Sequence, residues 1–151
     1  MGLKIGKTRK GSVPHESIVC YTKKSLIRYR PDFDFEEVGV SSTLGGVQPD
    51  SLLLMPDGGR VPIQACYRNQ PADEAKVILK LHEFALLDRA DPMRMEFVIV
   101  VAVNKQHKGA IERAIKGQNK GEMPERVALL DFDTVIDARF TWEEVFTLMT
   151  G

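Results

Sequence analysis

A chain of 151 residues with 43% apolar and 28% charged side chains has material for one ordinary core, and a single soluble domain is expected. No apolar run approaches the roughly 18 residues of a membrane span, and the polar, basic start has no secretory apolar region, so a membrane partner is not expected. The formal charge is zero but uneven: Lys4, Lys7, Arg9, Lys10, Lys23, Lys24, Arg28 and Arg30 face Glu16 alone in residues 1–30, a balance of +7, and the other thirteen bases and twenty acids give −7.

Residues 1–11, rich in Gly, Lys and Arg and without periodicity, read as a flexible basic arm ahead of one domain over 12–151. Such an arm on an acidic body suits a phosphate backbone, with Lys4, Lys7, Arg9, Lys10, Lys23 and Lys24 as candidate nucleic-acid contacts; a solvated tail is the plainer alternative. Ser12 and Pro14 start a helix whose apolar face includes Ile18, Val19, Leu26 and Ile27, and Pro31 stops it near Tyr29. Phe33, Phe35, Val38 and Val40 predict a strand around 34–42, followed by a turn at Gly45-Gly46. Strands over 50–55 and 60–67 flank Asp57-Gly58, a strong hairpin signal, so they should pair antiparallel.

Pro71, Asp73 and Glu74 open a helix that buries Val77, Ile78, Leu81, Phe84 and Ala85 and fades near Arg89. The run Phe97–Val103, apolar throughout and β-branched, predicts a central strand covered on both faces. A helix over 105–117, a strand over 126–132 and a short helix capped by Thr141 with Glu144 complete the chain. The order α-β-β-β-α-β-α-β-α predicts an α/β fold, with one mixed sheet between helices.

Alternation along 60–67 places Gln64, Cys66 and Arg68 on one face of a strand, with Ile63, Ala65 and Tyr67 on the other. The hairpin brings Asp50 toward Gln64 and Cys66 near the sheet edge. Phosphodiester hydrolysis with Mg²⁺ needs oxygen ligands at such a point and a cation to offset developing charge.

The reading Pro49-Asp50, then Asp57-Gly58-Gly59, then Val61-Pro62-Ile63-Gln64-Ala65-Cys66-Tyr67-Arg68 resembles the restriction-endonuclease-like nucleases, the PD-(D/E)xK superfamily. The resemblance runs from His15 to about Val103 and implies an α-β-β-β-α-β core extended by further α/β elements. It implies Asp50 as the metal-binding acid and Glu16 as the acid many members carry on the first helix. Gln64 stands where the family has an acid and Cys66 where it has a lysine. Gln64 can offer a metal one neutral carbonyl oxygen, and Cys66 offers no positive charge. Compensation would have to come from Glu16 or Glu37 for the missing carboxylate, and from Arg68, Lys76 or Lys80 for the missing cation.

Two nucleic-acid functions therefore stay open, and a third lies outside nucleic acid. One is a nuclease-like nucleic-acid-binding protein, for DNA rather than RNA, whose degenerate site is weakly active or inactive. The other is an active endonuclease using Mg²⁺ or Mn²⁺, with Asp50, Gln64 and Glu16 at the metal, Arg68 or Lys76 as the cation, and no organic cofactor. A non-enzymatic docking module, including a homodimer, is the third. A cytoplasmic setting follows from the two cysteines, Cys20 and Cys66, which form no CxxC or Cys/His cluster. Cys66 is expected as a small buried packing residue, His82 as a solvent-facing residue, His107 as part of a solvated first turn with a phosphate contact as the alternative, and Trp142 and Phe146 as core anchors.

Overall fold

The structure, a computed structural model, describes residues 12–36, 49–67, 71–90 and 95–151. Helix α1 (Ser12–Tyr29) leads to strands β1 (Asp34–Glu36), β2 (Ser51–Leu54) and β3 (Arg60–Cys66), then helix α2 (Pro71–Ala90) and strand β4 (Val98–Ala102). Helix α3 (Lys105–Lys116), a 3₁₀ turn (Lys120–Glu122), strand β5 (Val127–Asp131), and helices α4 (Phe132–Val135) and α5 (Trp142–Thr150) follow. The five strands lie in chain order in one sheet: β1, β2 and β3 are antiparallel neighbours, and β3, β4 and β5 run parallel. This is the expected α/β architecture, a mixed sheet flanked by helices. Among the described residues no helix is long and apolar enough to cross a membrane.

The β2–β3 turn forms where the sequence demands it. Gly58 adopts φ 93°, a left-handed conformation that costs a side-chain-bearing residue energy, and Asp57 Oδ1 accepts the Gly59 N–H at 2.9 Å. The register then sets Ser51 opposite Ile63 and Leu53 opposite Val61. All five residues of β4 are buried, because it lies between two parallel neighbours with helices over both faces.

The two faces have separate cores. Ile18 and Leu26 of α1 and Trp142 and Phe146 of α5 pack with Leu53, Ile63, Ala65, Ile99 and Val101. Val77, Leu81 and Phe84 of α2 and Ile111 of α3 pack with Leu52, Cys66, Val98, Val100 and Ala102 on the opposite side. Trp142 fastens α5 to α1: its indole N–H donates to Ser25 Oγ at 2.7 Å, and its ring meets Phe140 edge-on with centroids 4.9 Å apart. Trp142 and Phe146 are thus the expected anchors, 3% and 8% exposed.

Two local details differ from the sequence reading, and one expected segment falls partly outside the described residues. Strand β1 is described only through Glu36, and the rest of the expected 34–42 segment, with the Gly45-Gly46 turn, lies outside the described residues. Strand β5 stops at Asp131 because its carboxylate accepts the Thr134 N–H at 2.9 Å, capping a short helix that starts at Phe132. Thr141 caps α5, as expected, but its hydroxyl accepts from the Glu143 N–H at 3.1 Å, one position earlier than a capping box reaches.

Candidate functional site

Asp50 stands half-buried immediately before β2. Its Oδ2 accepts the backbone N–H of Ala65 on β3 at 2.7 Å. The β2–β3 ladder ends at the Ser51–Ile63 pair, so the carboxylate extends the strand pairing where the backbone of β2 no longer can. One oxygen of the candidate metal-binding acid is therefore already committed to holding the sheet end.

Asp50 also forms one wall of a cleft of about 470 Å³ against α1, lined by Glu16, Val19, Cys20, Lys23, Lys24 and Ile27. The helical residues fall at spacings of three and four, which aligns them on one side of α1. Glu16, Cys20 and Lys24 are exposed, and the half-buried Lys23 sets its ammonium 5.2 Å from the Phe35 ring centroid. The structure thus brings Asp50, Glu16, Lys23 and Lys24 together at one opening.

Gln64 and Cys66 are not among the residues lining that cleft. Alternation along β3 sends Ile63 and Ala65 to the α1 and α5 face, while Cys66 packs beneath α2 and α3. Gln64 is half-buried, and its Oε1 is enclosed with no hydrogen-bond partner among the described residues.

Cys66 is 3% exposed, the small packing residue expected, and its Sγ lies 3.4 Å from His107 Nε2 and 3.9 Å from the Asp73 carbonyl oxygen. Burial, then the charges of Asp73, Glu74 and Asp50, push the Cys66 thiol up to about 12. Burial likewise lowers the His107 imidazole, against the opposing pull of Glu74 and Asp73. Position 66 is therefore held by an uncharged thiol beside a neutral imidazole.

His107 is a correction. It was expected in a solvated first turn, and it is 0% exposed. Asn104 caps α3 by accepting the His107 N–H at 2.8 Å, which turns the ring inward on the same face as Ile111, four residues on. That apolar partner at i+4 was the available signal, outweighed by flanking Lys105 and Lys108. His82 is a second correction: it is half-buried, with Nε2 3.1 Å from Gln118 Oε1, joining α2 to the segment after α3.

Lys76 is exposed on α2, off the face where Val77, Leu81 and Phe84 pack with Cys66. Arg68, Glu37, and Lys4, Lys7, Arg9 and Lys10 of the arm lie outside the described residues. Among the described residues no three His, Cys, Asp or Glu side chains converge as a metal site. Asp50 and Glu16, the two carboxylates that share the cleft, could hold a magnesium ion together with water and phosphate oxygens, and Gln64 and Cys66 do not line it.

No protein-family model, curated protein or solved structure matches the chain.

Proposed function

We propose that this chain is a nucleic-acid-binding module on a restriction-endonuclease-like scaffold, holding DNA along the α1–Asp50 cleft without hydrolysing it. One observation carries the reading: position 66, on the strand that follows the Gly-rich turn, holds a buried thiol pushed up to about 12 and supplies no cation. Phosphoryl chemistry at neutral pH needs positive charge near the developing negative charge, and a neutral thiol gives none. Support for the scaffold is the order α1-β1-β2-β3-α2-β4, with three antiparallel strands, β4 parallel to β3, and Asp50 at the start of β2.

Binding rests on Lys23 and Lys24 at the cleft and on the exposed Arg28 of the same helix. Asp50 and Glu16 repel phosphate, so the backbone lies on the Lys23 and Lys24 side of the cleft. Contacts of this kind are independent of sequence and fall with salt. Changing Lys23 and Lys24 together to glutamine should weaken binding to duplex DNA at low salt. It should also lower the slope of log affinity against log salt by about 1 for each lost phosphate contact. Unchanged affinity and slope would remove the cleft from the binding surface.

A second reading, a Mg²⁺- or Mn²⁺-dependent endonuclease, is favoured by a single observation, the placement of Asp50 and Glu16 in one cleft. It requires a cation from residues such as Arg68, and cleavage of DNA distinguishes it.

A further inference from the structure

Helix α2 is apolar on two sides. Its inner side buries Val77, Leu81 and Phe84 under the sheet. Its outer side carries Ala72, Ala75, Leu79 and Leu86, all exposed, with Leu79 at 59% and Leu86 at 62%. Positions 72, 75 and 79 follow the three-and-four spacing of a helix–helix seam and Leu86 lies two turns beyond Leu79, with His82 at the position between, where a surface helix ordinarily presents charge to water. Lys76 and Glu83 flank the stripe on one edge, seven residues apart.

We propose that this stripe is a homodimer interface in which α2 pairs antiparallel with α2 of a second copy about a two-fold axis near Lys80. Charge selects the occupant and the direction. With the two helices antiparallel and Leu86 set against Ala75 of the second copy, Lys76 comes opposite Glu83 of the second copy, and the two-fold repeats that pair. A parallel two-fold pairing would leave Lys76 and Glu83 of the two copies on opposite edges of the seam, and this charge pair could not form. Within one chain Glu83 makes a long 3.8 Å contact with Lys80, weak enough to be shared with a partner. Leu79 fills the centre beside the axis, and the small Ala72 and Ala75 let the backbones approach. A seam one helix wide is a small interface, so the association is concentration-dependent and of roughly micromolar affinity. The inference is independent of nucleic-acid binding, because α2 and the α1–Asp50 cleft cover opposite faces of the sheet.

The test is sedimentation equilibrium of the full chain across concentrations up to about 500 µM, a range that detects weak dimers. Wild type should approach twice the monomer mass. Leu79→Glu should be monomeric with unchanged far-ultraviolet circular dichroism, since Leu79 supports no core. Lys76→Glu should weaken the dimer about tenfold by opposing like charges twice, and adding Glu83→Lys should restore it. A wild type monomeric throughout would overturn the inference and leave the stripe to another occupant. A dimer indifferent to Leu79→Glu, or a double charge reversal without rescue, would also overturn it.

Discussion

Trp142→Ala is expected to lower folding stability by about 3–5 kcal/mol, the range for truncating a large buried aromatic. Two separate losses add up at this residue. The ring is 3% exposed and meets Phe140 and Phe146 with centroids 4.9 Å and 6.3 Å away, so its removal opens a cavity between α1 and α5. The indole N–H donates to Ser25 Oγ at 2.7 Å, and that hydroxyl itself donates to the Thr22 carbonyl at 3.2 Å. Without Trp142 the buried serine oxygen loses its donor, a cost that adds to the cavity. Trp142→Phe keeps most of the volume and loses only the hydrogen bond, so it should cost about 1–2 kcal/mol. Chemical denaturation of both variants checks the order. Equal losses for the two would show that packing contributes little and that the hydrogen bond to Ser25 alone fastens α1. The consequence reaches the cleft, since α1 carries Glu16, Lys23 and Lys24 and is held on the sheet by this contact.

The buried thiol–imidazole pair should confine maximal stability to a window of pH. His107 is lowered from its ordinary value near 6.5, so as pH falls below that value the unfolded chain takes up a proton that the folded chain refuses, and stability falls. Cys66 is raised from 9.0 to about 12, so its neutral form favours the fold fully below pH 9, and that contribution is lost as pH rises toward 12. Each limb has a limiting slope of about 1.4 kcal/mol per pH unit for one proton. The urea midpoint measured against pH should therefore decline on both sides of the interval between about 6.5 and 9, the two unperturbed values. Cys66→Ala should flatten the alkaline limb relative to wild type, and His107→Leu the acid limb. Parallel profiles for wild type and both variants would mean that these groups titrate alike in folded and unfolded chains.

The sheet was legible in the sequence wherever its signals are local. Asp57-Gly58 specifies a left-handed turn, the β-branched run ending at Val103 specifies a doubly covered strand, and alternation along 60–67 separates Ala65 from Cys66. What remained hidden depended on which helix covers which face. Alternation puts Gln64 and Cys66 on one side of β3, and the hairpin puts Asp50 near them, with its carboxylate on the Ala65 N–H. The cleft that Asp50 shares with Glu16 on α1, and the cover of α2 and α3 over Cys66, have no local signal. Burial of His107 was hidden for the same reason: its neighbours Lys105 and Lys108 signal solvent, whereas its contact with Cys66 spans 41 positions of chain. The outward apolar side of α2 is masked in the sequence, because Val77, Leu81 and Phe84 already account for an amphipathic helix without Leu79 and Leu86.

Binding without cutting is tested most directly by one gel titration of supercoiled plasmid with wild-type protein in Mg²⁺. The account predicts retardation that weakens as salt is raised, with the plasmid recovered supercoiled after the protein is removed. Absence of any retardation at low salt would contradict nucleic-acid binding, and nicking that Asp50→Asn abolishes would contradict the loss of hydrolysis.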